Sequence, residues 1–264
     1  MLFMNDKNII TSRSNPLIMR IAKLADKKHR DSEQLFTFEG HKLLEEALKN
    51  NVEIEYIFHT ENCDFFDNKL LNCRKFVVSD SVYSKISNEK SPQGIFCAAK
   101  YIDIFHKKVK IYNDNFKGRA FIIASVRDPG NLGTIIRSAA AFGIDQLILS
   151  SDCADIYNIK TVRASMGSLF RQRITIADDI VQTAEYLQNN GYTVYAAALD
   201  NKAVNLRDIE INDKVCFSVG NEGHGLPDEY IKVCGGTVII PMTAGIESLN
   251  AAVAASILMW EAYR

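Results

Sequence analysis

Three stretches in the second half of the chain combine glycine with polar side chains, residue types suited to binding and positioning a ligand. The first runs from Arg127 to Arg137 (RDPGNLGTIIR). Its Pro-Gly-Asn predicts a turn before a helix, with Asn131 where a helix cap is expected. Arg137 then lies about one turn into the helix, where a guanidinium can bind a phosphate or stabilise an oxyanion but cannot accept a proton. Capping alone for Asn131, and a surface charge for Arg137, are the competing interpretations.

The second stretch runs from Gly220 to Pro227 (GNEGHGLP). Three glycines in six residues let a backbone approach a ligand closely, although such loops are also ordinary turns. The stretch lacks the GxGxxG spacing and carries an acid, Glu222, inside the loop, so a dinucleotide site is disfavoured. His224, as a lone histidine, is more often structural than catalytic.

The third stretch runs from Ile240 to Asn250 (IPMTAGIESLN) and leads into an alanine-rich run. Ser248 and Asn250 are its polar candidates for chemistry. Capping of the following helix by Ser248 or Glu247 is the simpler interpretation. The alanines predict close helix packing, either within the chain or across a dimer interface.

The elements that must position these loops alternate between strand and helix from Arg119 onward. The predicted strands are Ala120 to Val126, Gln146 to Ser150, Tyr192 to Ala198, Val215 to Val219 and Thr237 to Ile240. The predicted helices are Gly133 to Phe142, Thr161 to Phe170, Ile180 to Asn190, Pro227 to Lys232 and Ser248 to Tyr263. This alternation predicts a mostly parallel sheet with helices on both faces, and ligands bind such sheets at the carboxyl ends of the strands.

The first half predicts a smaller α/β unit between Glu33 and Lys100. Its strands are expected at Phe36 to Phe38, Glu55 to His59, Lys75 to Val78 and Ile95 to Lys100, and its helices at His41 to Asn50 and Ser79 to Ser87. A polar stretch ends at Gly118, where we place a domain boundary. The expected organisation is a basic helical extension (1–32), a small domain (33–105), a linker (106–118) and an α/β domain (119–264).

Composition excludes several classes of protein. Of 264 residues, 47% are apolar and 24% are charged, and no apolar run reaches the roughly 18 residues of a membrane span. The N-terminus is charged too early for a secretory signal, so the cytoplasm is the expected compartment. Six cysteines without a C-x-x-C pair, and without histidines at ligand spacing, predict no metal site.

A net charge of −1 argues against nucleic acid bound over the whole surface, but a local basic patch lies near the N-terminus. Contact with phosphates and a solvated face of an amphipathic helix remain equal interpretations of this patch. Its members are Lys7, Arg13, Arg20, Lys23, Lys27, Lys28 and Arg30.

Taken together, the three stretches resemble the three motifs of the SpoU (TrmH-like) family of RNA 2'-O-ribose methyltransferases, within the SPOUT superfamily. The matching residues are Asn131-x-Gly133-x-x-x-Arg137, Gly220-Asn221-Glu222-Gly223-x-Gly225-Leu226, and Ile240-Pro241-Met242 with Ser248-Leu249-Asn250. The resemblance covers almost all of residues 119–264. It implies a deep C-terminal trefoil knot, a homodimer and S-adenosylmethionine as cofactor.

The resemblance also implies roles for individual residues. Ala198, Gly220, Ile240 and Leu249 would bind S-adenosylmethionine, and Asn131, Arg137, Glu222, Ser248 and Asn250 would form the catalytic surface. As a hypothesis, Arg137 grips a phosphate or the developing alkoxide, and the hydroxyl proton leaves to a phosphate oxygen, to water or to Glu222.

A weaker resemblance links the first half to the RNA substrate-binding domain of family members that more often act on large-subunit rRNA. It is carried by Phe38 to Ala47 (FEGHKLLEEA) and Ser91 to Ile95 (SPQGI). It favours rRNA over tRNA as the partner. The alternatives are a base methyltransferase acting on tRNA and a non-catalytic RNA-binding or ribosome-assembly protein that kept the fold.

Overall fold

The computed structural model describes residues 9–63, 73–102, 118–221, 223–243, 245 and 248–264. The chain divides into two compact units. The first comprises Met1–Ile102 with Tyr157–Arg163, and the second comprises Asp103–Ile156 with Ala164–Arg264. Lys7, Glu222, Glu247 and all of the predicted linker but Gly118 lie outside the described residues.

The first unit is built on a small mixed sheet. Its elements are α1 (Pro16–Lys23), α2 (Lys27–Glu33), β1 (Leu35–Glu39), α3 (His41–Lys49), β2 (Ile54–His59), β3 (Arg74–Val77), α4 (Asp80–Ile86) and β4 (Ile95–Lys100). The strand order is β1-β4-β2-β3, with β4 antiparallel to both neighbours and β2 parallel to β3. β3 is therefore an edge strand of this sheet.

α1 packs on one face of this sheet because its apolar residues recur at helical spacing. Ile18 and Ile21 are buried in one cluster with Tyr56 and Phe58 of β2 and with residues of α4. The side chain of Asn15 caps α1 by accepting a hydrogen bond from the amide two residues further on (2.9 Å).

The basic segment folds as two short helices, and its charges do not share one environment. Arg20 and Lys23 of α1 are exposed. Arg30 of α2 is buried, and it donates hydrogen bonds to the carbonyl oxygens of Leu24 and Ala25 (2.8 and 2.7 Å). Arg30 therefore belongs to the packing of the turn between α1 and α2, which removes it from the predicted surface patch.

The second unit contains a parallel sheet of seven strands among its described residues. Its elements are β5 (Ala120–Ile123), α5 (Pro129–Ala141), β6 (Gln146–Ser150), β7 (Ile174–Ala177), α7 (Ile180–Asn189), β8 (Thr193–Ala197), β9 (Val204–Asn205), β10 (Val215–Val219), α8 (Asp228–Val233), β11 (Gly236–Ile239) and α9 (Ala251–Tyr263), while α6 (Ile159–Ala164) falls mostly in the first unit. The strand order is β7-β6-β5-β10-β8-β11-β9. Because all paired strands are parallel, the loops after β5, β8, β10 and β11 leave from the same edge.

The predicted parallel sheet is confirmed, with corrections to its elements. The strand β7 was not expected, and the helix predicted from Thr161 to Phe170 is two pieces. α6 ends at Ala164, and a short 3₁₀ turn follows at Ser168–Phe170. Met166 and Gly167 adopt left-handed conformations (φ 50° and 85°), which break a continuous helix.

Glu39 is a half-buried carboxyl group at the end of β1. One of its oxygens accepts hydrogen bonds from the hydroxyls of Ser87 (2.7 Å) and Tyr83 (3.2 Å). Burial raises the pKa of Glu39 above its ordinary value, and these hydrogen bonds offset only part of the rise.

Replacement of Glu39 by glutamine is expected to change how stability depends on pH. A carboxyl group with a raised folded pKa stabilises the fold fully below its unfolded pKa of about 4.3, and this contribution is lost as pH rises through the folded value. The thermal midpoint of Glu39→Gln minus that of the unaltered chain should therefore increase as the pH is raised from about 4 to about 7. Calorimetry over this range tests it. Glu61→Gln, at an exposed turn of the same unit, is the control, and the same pH profile for both variants would contradict the prediction.

Candidate active site

The loop after β5 passes through Ser125 in a left-handed backbone conformation (φ 57°). Such a conformation costs a residue other than glycine roughly 1 to 3 kcal/mol. Hydrogen bonds hold it in place: the Ser125 amide donates to Oγ of Ser150 (2.8 Å), and Oγ of Ser125 donates to Oδ2 of Asp152 (2.6 Å). Ser150 in turn donates to Oδ1 of Asp152 (2.6 Å). The two carboxylate oxygens of Asp152 thus anchor this loop.

Asp152 is held as a carboxylate by its neighbours. Partial burial opposes its ionisation, but the hydrogen bonds from Ser125 and Ser150 outweigh that cost, so its pKa lies below the ordinary value. Arg127 adds a longer ion pair to Oδ2 (3.6 Å). At neutral pH the ionised Asp152 accepts hydrogen bonds from the hydroxyls of Ser125 and Ser150, which keeps the turn fixed.

Asn221 closes the loop after β10 and ties it to the loop after β5. Asn221 and Gly225 exchange two backbone hydrogen bonds (3.1 and 2.9 Å). The carboxamide oxygen of Asn221 accepts from the amides of Gly223 (2.8 Å) and His224 (3.3 Å). Its nitrogen donates to the carbonyl oxygen of Ser125 (2.9 Å). One side chain therefore fixes the relative position of two loops at the edge of the sheet.

Gly220 occupies a place with no room for a side chain. A Cβ atom there would lie 2.1 Å from the carbonyl carbon of Gly225 and 2.5 Å from the amide nitrogen of Leu226. Both are backbone atoms, so the loop would have to move. Among the described residues, a Cβ atom on Gly223 would meet the side chain of Asn221 alone, at 3.4 Å.

Asn131 lies inside the first turn of α5 rather than at its cap. α5 begins at Pro129, and the side chain of Asp128 caps it by accepting a hydrogen bond from the Asn131 amide (2.7 Å). The expected capping role of Asn131 is wrong, because Asp128 holds the extended position before the helix. The carboxamide oxygen of Asn131 instead accepts a hydrogen bond from Nδ2 of Asn250 (3.0 Å).

Asn250 joins the third loop to the first. Its carboxamide oxygen caps α9 by accepting from the amides of Ala252 (2.9 Å) and Val253 (3.2 Å), while its nitrogen binds Asn131. Ser248 is not the cap, since α9 begins three residues after it.

The helices α5 and α9 are also joined along their length. Oγ of Ser138 and Oγ of Ser256 lie 2.7 Å apart. Arg137 precedes Ser138 on α5; it is exposed and forms no hydrogen bond or ion pair with any described residue. Thr134, one turn before Arg137, lines a groove together with residues of α9. Arg137 is thus a cation beside the α5–α9 groove.

A cavity of about 600 Å³ opens at the carboxyl ends of β8, β10 and β11. All four residues predicted to bind the cofactor line it, namely Ala198, Gly220, Ile240 and Leu249, and so does Ser248. The described residues that line it do not include Asn131, Arg137 or Asn250. The predicted site therefore separates into a cavity and an adjoining polar edge formed by α5 and the start of α9.

Both halves of the chain match family models. A model of the SpoU rRNA Methylase family matches residues 119–260, and a model of the MRM3-like substrate binding domain matches residues 15–97. The chain belongs to the SpoU family of rRNA methylases.

Relatives match this SpoU-family chain over nearly its whole length. The 23S rRNA (guanosine(2553)-2'-O)-methyltransferase RlmP of Bacillus subtilis (strain 168) is 30% identical over 251 residues, which are 95% of this chain and 97% of that protein. An AdoMet-bound rRNA methyltransferase from Sinorhizobium meliloti has 30% identity and a TM-score of 0.83, with 97% of each chain covered. A solved RNA 2'-O ribose methyltransferase has 26% identity and a TM-score of 0.81, covering 96% of this chain and 97% of that one.

The family and the α/β fold with a substrate-binding domain, both predicted from the motifs, are confirmed. In the part of the chain that the structure describes, no helix is long and apolar enough to cross a membrane. The same part holds no group of three or more His, Cys, Asp or Glu residues placed to bind a metal ion.

The cavity fits S-adenosylmethionine in size and chemistry. Its volume falls within the range of roughly 300 to 1,000 Å³ that holds small-molecule ligands. The cavity has an apolar wall suited to an adenine ring, formed by Leu226, Ile240 and Leu249. The glycine-rich loop brings backbone hydrogen-bond donors and acceptors close to the space that a ligand would occupy. Asp228 adds a carboxylate to the lining, which suits a ligand that carries positive charge.

Sequence reasoning missed Ser125 and Asp152 and gave Asn221 no role of its own. Asn221 stood inside a motif, and an asparagine directly after a strand and a glycine is a signal for loop closure. Ser125 and Asp152 carried no such signal, because their contact joins positions 27 residues apart. It also depends on a left-handed backbone that the residue type does not predict.

Gly220→Ala is expected to disrupt the cofactor cavity while Gly223→Ala is not. The added methyl group at Gly220 collides with backbone atoms, so the loop must shift, whereas at Gly223 it makes an ordinary contact. We expect the affinity for S-adenosylmethionine, measured by calorimetry, to fall at least about tenfold (~1.4 kcal/mol) for Gly220→Ala and to change by less than about twofold for Gly223→Ala. Equal affinities for the two variants would show that the Gly220 loop does not shape the cavity.

Proposed function

We propose that this chain transfers a methyl group from S-adenosylmethionine to a ribose 2'-hydroxyl of 23S rRNA. The observation that carries the proposal is the cavity lined by the four expected cofactor residues, with Asn131 and Asn250 hydrogen-bonded at its polar edge. The relative RlmP, named for 2'-O-methylation of a guanosine in 23S rRNA, matches 95% of the chain and supports the substrate class.

The chemistry requires a positioned and activated hydroxyl group. S-adenosylmethionine supplies an electrophilic methyl group when bound. A neutral ribose hydroxyl is a poor nucleophile, so alignment and partial loss of its proton limit the reaction. Arg137 is a cation without a partner among the described residues, and we assign it the role of binding a phosphate or the developing alkoxide.

The remaining polar residues are assigned to orientation and proton removal. Asn131 and Asn250 hold each other and fix the start of α5 against the start of α9. Ser248 lies in the lining of the cavity, where its hydroxyl can meet the ligand. Glu222 lies outside the described residues, and its part as proton acceptor, beside a phosphate oxygen or water, stays a hypothesis from the resemblance.

We also propose a division of labour along the chain. Residues 33–105 bind the RNA, residues 1–32 extend that domain, residues 106–118 link the two parts and residues 119–264 carry the chemistry in a domain with a trefoil knot. The family-model matches at 15–97 and 119–260 support a substrate-binding part followed by a catalytic part, and the first match includes residues 15–32 of the proposed extension. Because six cysteines form no disulfide among the described residues, we place the protein in a reducing compartment, the cytoplasm.

A homodimer belongs to the same proposal and is supported by the outer face of α9. This helix is apolar all round, a pattern typical of a buried helix. Ala255, Leu258 and Met259 are buried within the chain, yet Val253 and Trp260 are 47% and 50% exposed. A second copy of the chain packed on the α5–α9 groove would cover this apolar surface.

Val253→Glu is expected to convert the dimer into a monomer. A carboxylate in the first turn of α9 favours the helix itself, so the fold should persist while the apolar interface gains an unpaired charge. Analytical ultracentrifugation measures the mass. Ile176→Glu, an exposed apolar position on β7, is the matched control. A mass unchanged by Val253→Glu would rule out this face as the interface.

Methyl transfer to unmodified rRNA and tRNA tests the function directly. Label from S-adenosylmethionine should appear in 23S rRNA as a 2'-O-methylnucleoside. Arg137→Ala should lower the transfer rate roughly 100- to 1,000-fold, because it removes a group that acts on developing charge, while cofactor affinity stays within about twofold. Arg173 is exposed and directly precedes β7, and Arg173→Ala should leave both the transfer rate and the cofactor affinity unchanged.

Other outcomes of this assay would contradict the assigned role of Arg137 or the proposed function. Equal loss of rate and cofactor affinity would make Arg137 structural. Label on a base, or only in tRNA, would favour the base-methyltransferase alternative. Absence of label together with absence of cofactor binding would indicate a non-catalytic RNA-binding protein.

A further inference from the structure

Two guanidinium groups of the first unit converge on one phenol. Arg20 of α1 and Arg74 of β3 each donate a hydrogen bond to the hydroxyl oxygen of Tyr56 (3.1 and 3.2 Å). The central carbons of the two groups also lie over the Tyr56 ring, 5.8 and 5.5 Å from its centroid. Tyr56 is buried, whereas both arginines are exposed. The pair therefore forms a cationic surface on a fixed aromatic support.

The protein balances only one charge of this pair. Glu33 forms an ion pair with Arg20, accepting hydrogen bonds from its Nε (3.1 Å) and Nη2 (2.5 Å), but Arg74 forms no ion pair with any described residue. Cations held this close repel each other unless an anion lies between them. The Tyr56 oxygen already accepts two hydrogen bonds, so its own proton remains to be donated, and no described residue accepts it. Arg74 and the Tyr56 hydroxyl therefore suit an anionic acceptor beside the Arg20–Glu33 ion pair.

More positive charge surrounds the pair. Lys23 follows Arg20 by three residues on α1, a spacing that places both on one side of the helix. Without the buried Arg30, residues 9–33 contain five lysines and arginines against three acids. The surface therefore suits a ligand with a repeating negative charge.

The strand register separates Arg74 from its neighbour Lys75. Arg74 is paired with Tyr56, and Phe76 with Phe58, and these aromatic residues pack in the cluster that α1 covers. Lys75 is paired with Ile57, and alternation along a strand points it to the other face of the sheet. Charges on an edge strand also discourage edge-to-edge pairing. Lys75 serves that purpose equally well, which makes it a control for the specific role of Arg74.

We propose that Arg20, Arg74 and the Tyr56 hydroxyl form a binding site for a phosphate of the RNA backbone, with Lys23 beside it. The inference rests on the proposed function and specifies where the substrate-binding half holds its RNA. Guanidinium groups bind phosphates through paired hydrogen bonds. The Tyr56 ring is buried under the arginines and cannot stack on a base. The site therefore positions RNA through its backbone without reading sequence.

Arg74→Gln tests the proposal in the full-length protein, because glutamine keeps a donor for Tyr56 but loses the charge. The probe is a fluorescent in vitro transcript of 23S rRNA, with binding followed by anisotropy over a series of salt concentrations. We expect the affinity for the transcript to fall roughly three- to tenfold. The slope of log K against log salt concentration should become shallower by about 0.7, the value for one phosphate contact with a single strand. Lys75→Gln, with the same charge change, should alter neither.

Three results would overturn the proposal. One is an equal effect of Arg74→Gln and Lys75→Gln. Another is weaker binding by Arg74→Gln with an unchanged salt slope and a lowered thermal midpoint, which would indicate a structural role. The third is binding of phosphatidylserine vesicles with the same dependence on Arg74, which would make a membrane the partner. A chain that binds rRNA through Arg74 but methylates none would fail the proposed function and leave this site standing.

Discussion

The carboxamide of Asn221 is the interaction on which the catalytic half depends. Its oxygen closes the loop after β10 onto its own amides, and its nitrogen reaches the carbonyl oxygen of Ser125 in the loop after β5. The second contact requires that Ser125 stay in its left-handed conformation, which Asp152 and Ser150 maintain. A strained backbone, a carboxylate with a lowered pKa and a closed glycine loop are thus parts of one arrangement. Without any of them the wall of the cavity would lose its position.

The cavity and the polar edge beside it are built by different means. Backbone crowding at Gly220 and apolar side chains shape the cavity, which suits a ligand recognised by shape and by main-chain groups. Side-chain hydrogen bonds between α5 and α9 shape the edge, through Asn131 with Asn250 and Ser138 with Ser256. In the proposed function, this division would let rigid elements hold the cofactor while the exposed Arg137 meets the RNA.

In the smaller unit, arginine residues close together in the sequence have different structural roles. Arg30 is buried and bonds backbone carbonyl oxygens, so it holds a turn. Arg20 lies on the preceding helix, ten residues earlier, and contributes to an exposed cationic surface with Arg74. Burial and partner, rather than charge, decide the role of each arginine. Neither interpretation of the basic segment, a solvated helix face or a phosphate contact, applies to Arg30, while Arg20 remains exposed.

The sequence by itself determined the parallel sheet, because apolar strands alternate with helical segments along the chain. The family and the residues expected to line the cavity followed from the resemblance of the three motifs. The sequence did not determine that Asp128 caps α5, that Asn250 caps α9, or that β7 exists, since competing caps and short edge strands differ by little in local preference. The contacts of Asn221 with Ser125, of Ser125 with Asp152 and of Arg74 with Tyr56 were decided by tertiary structure alone. Each contact joins residues far apart in the chain. The local sequence around a side chain does not determine which distant residue the fold brings into contact with it.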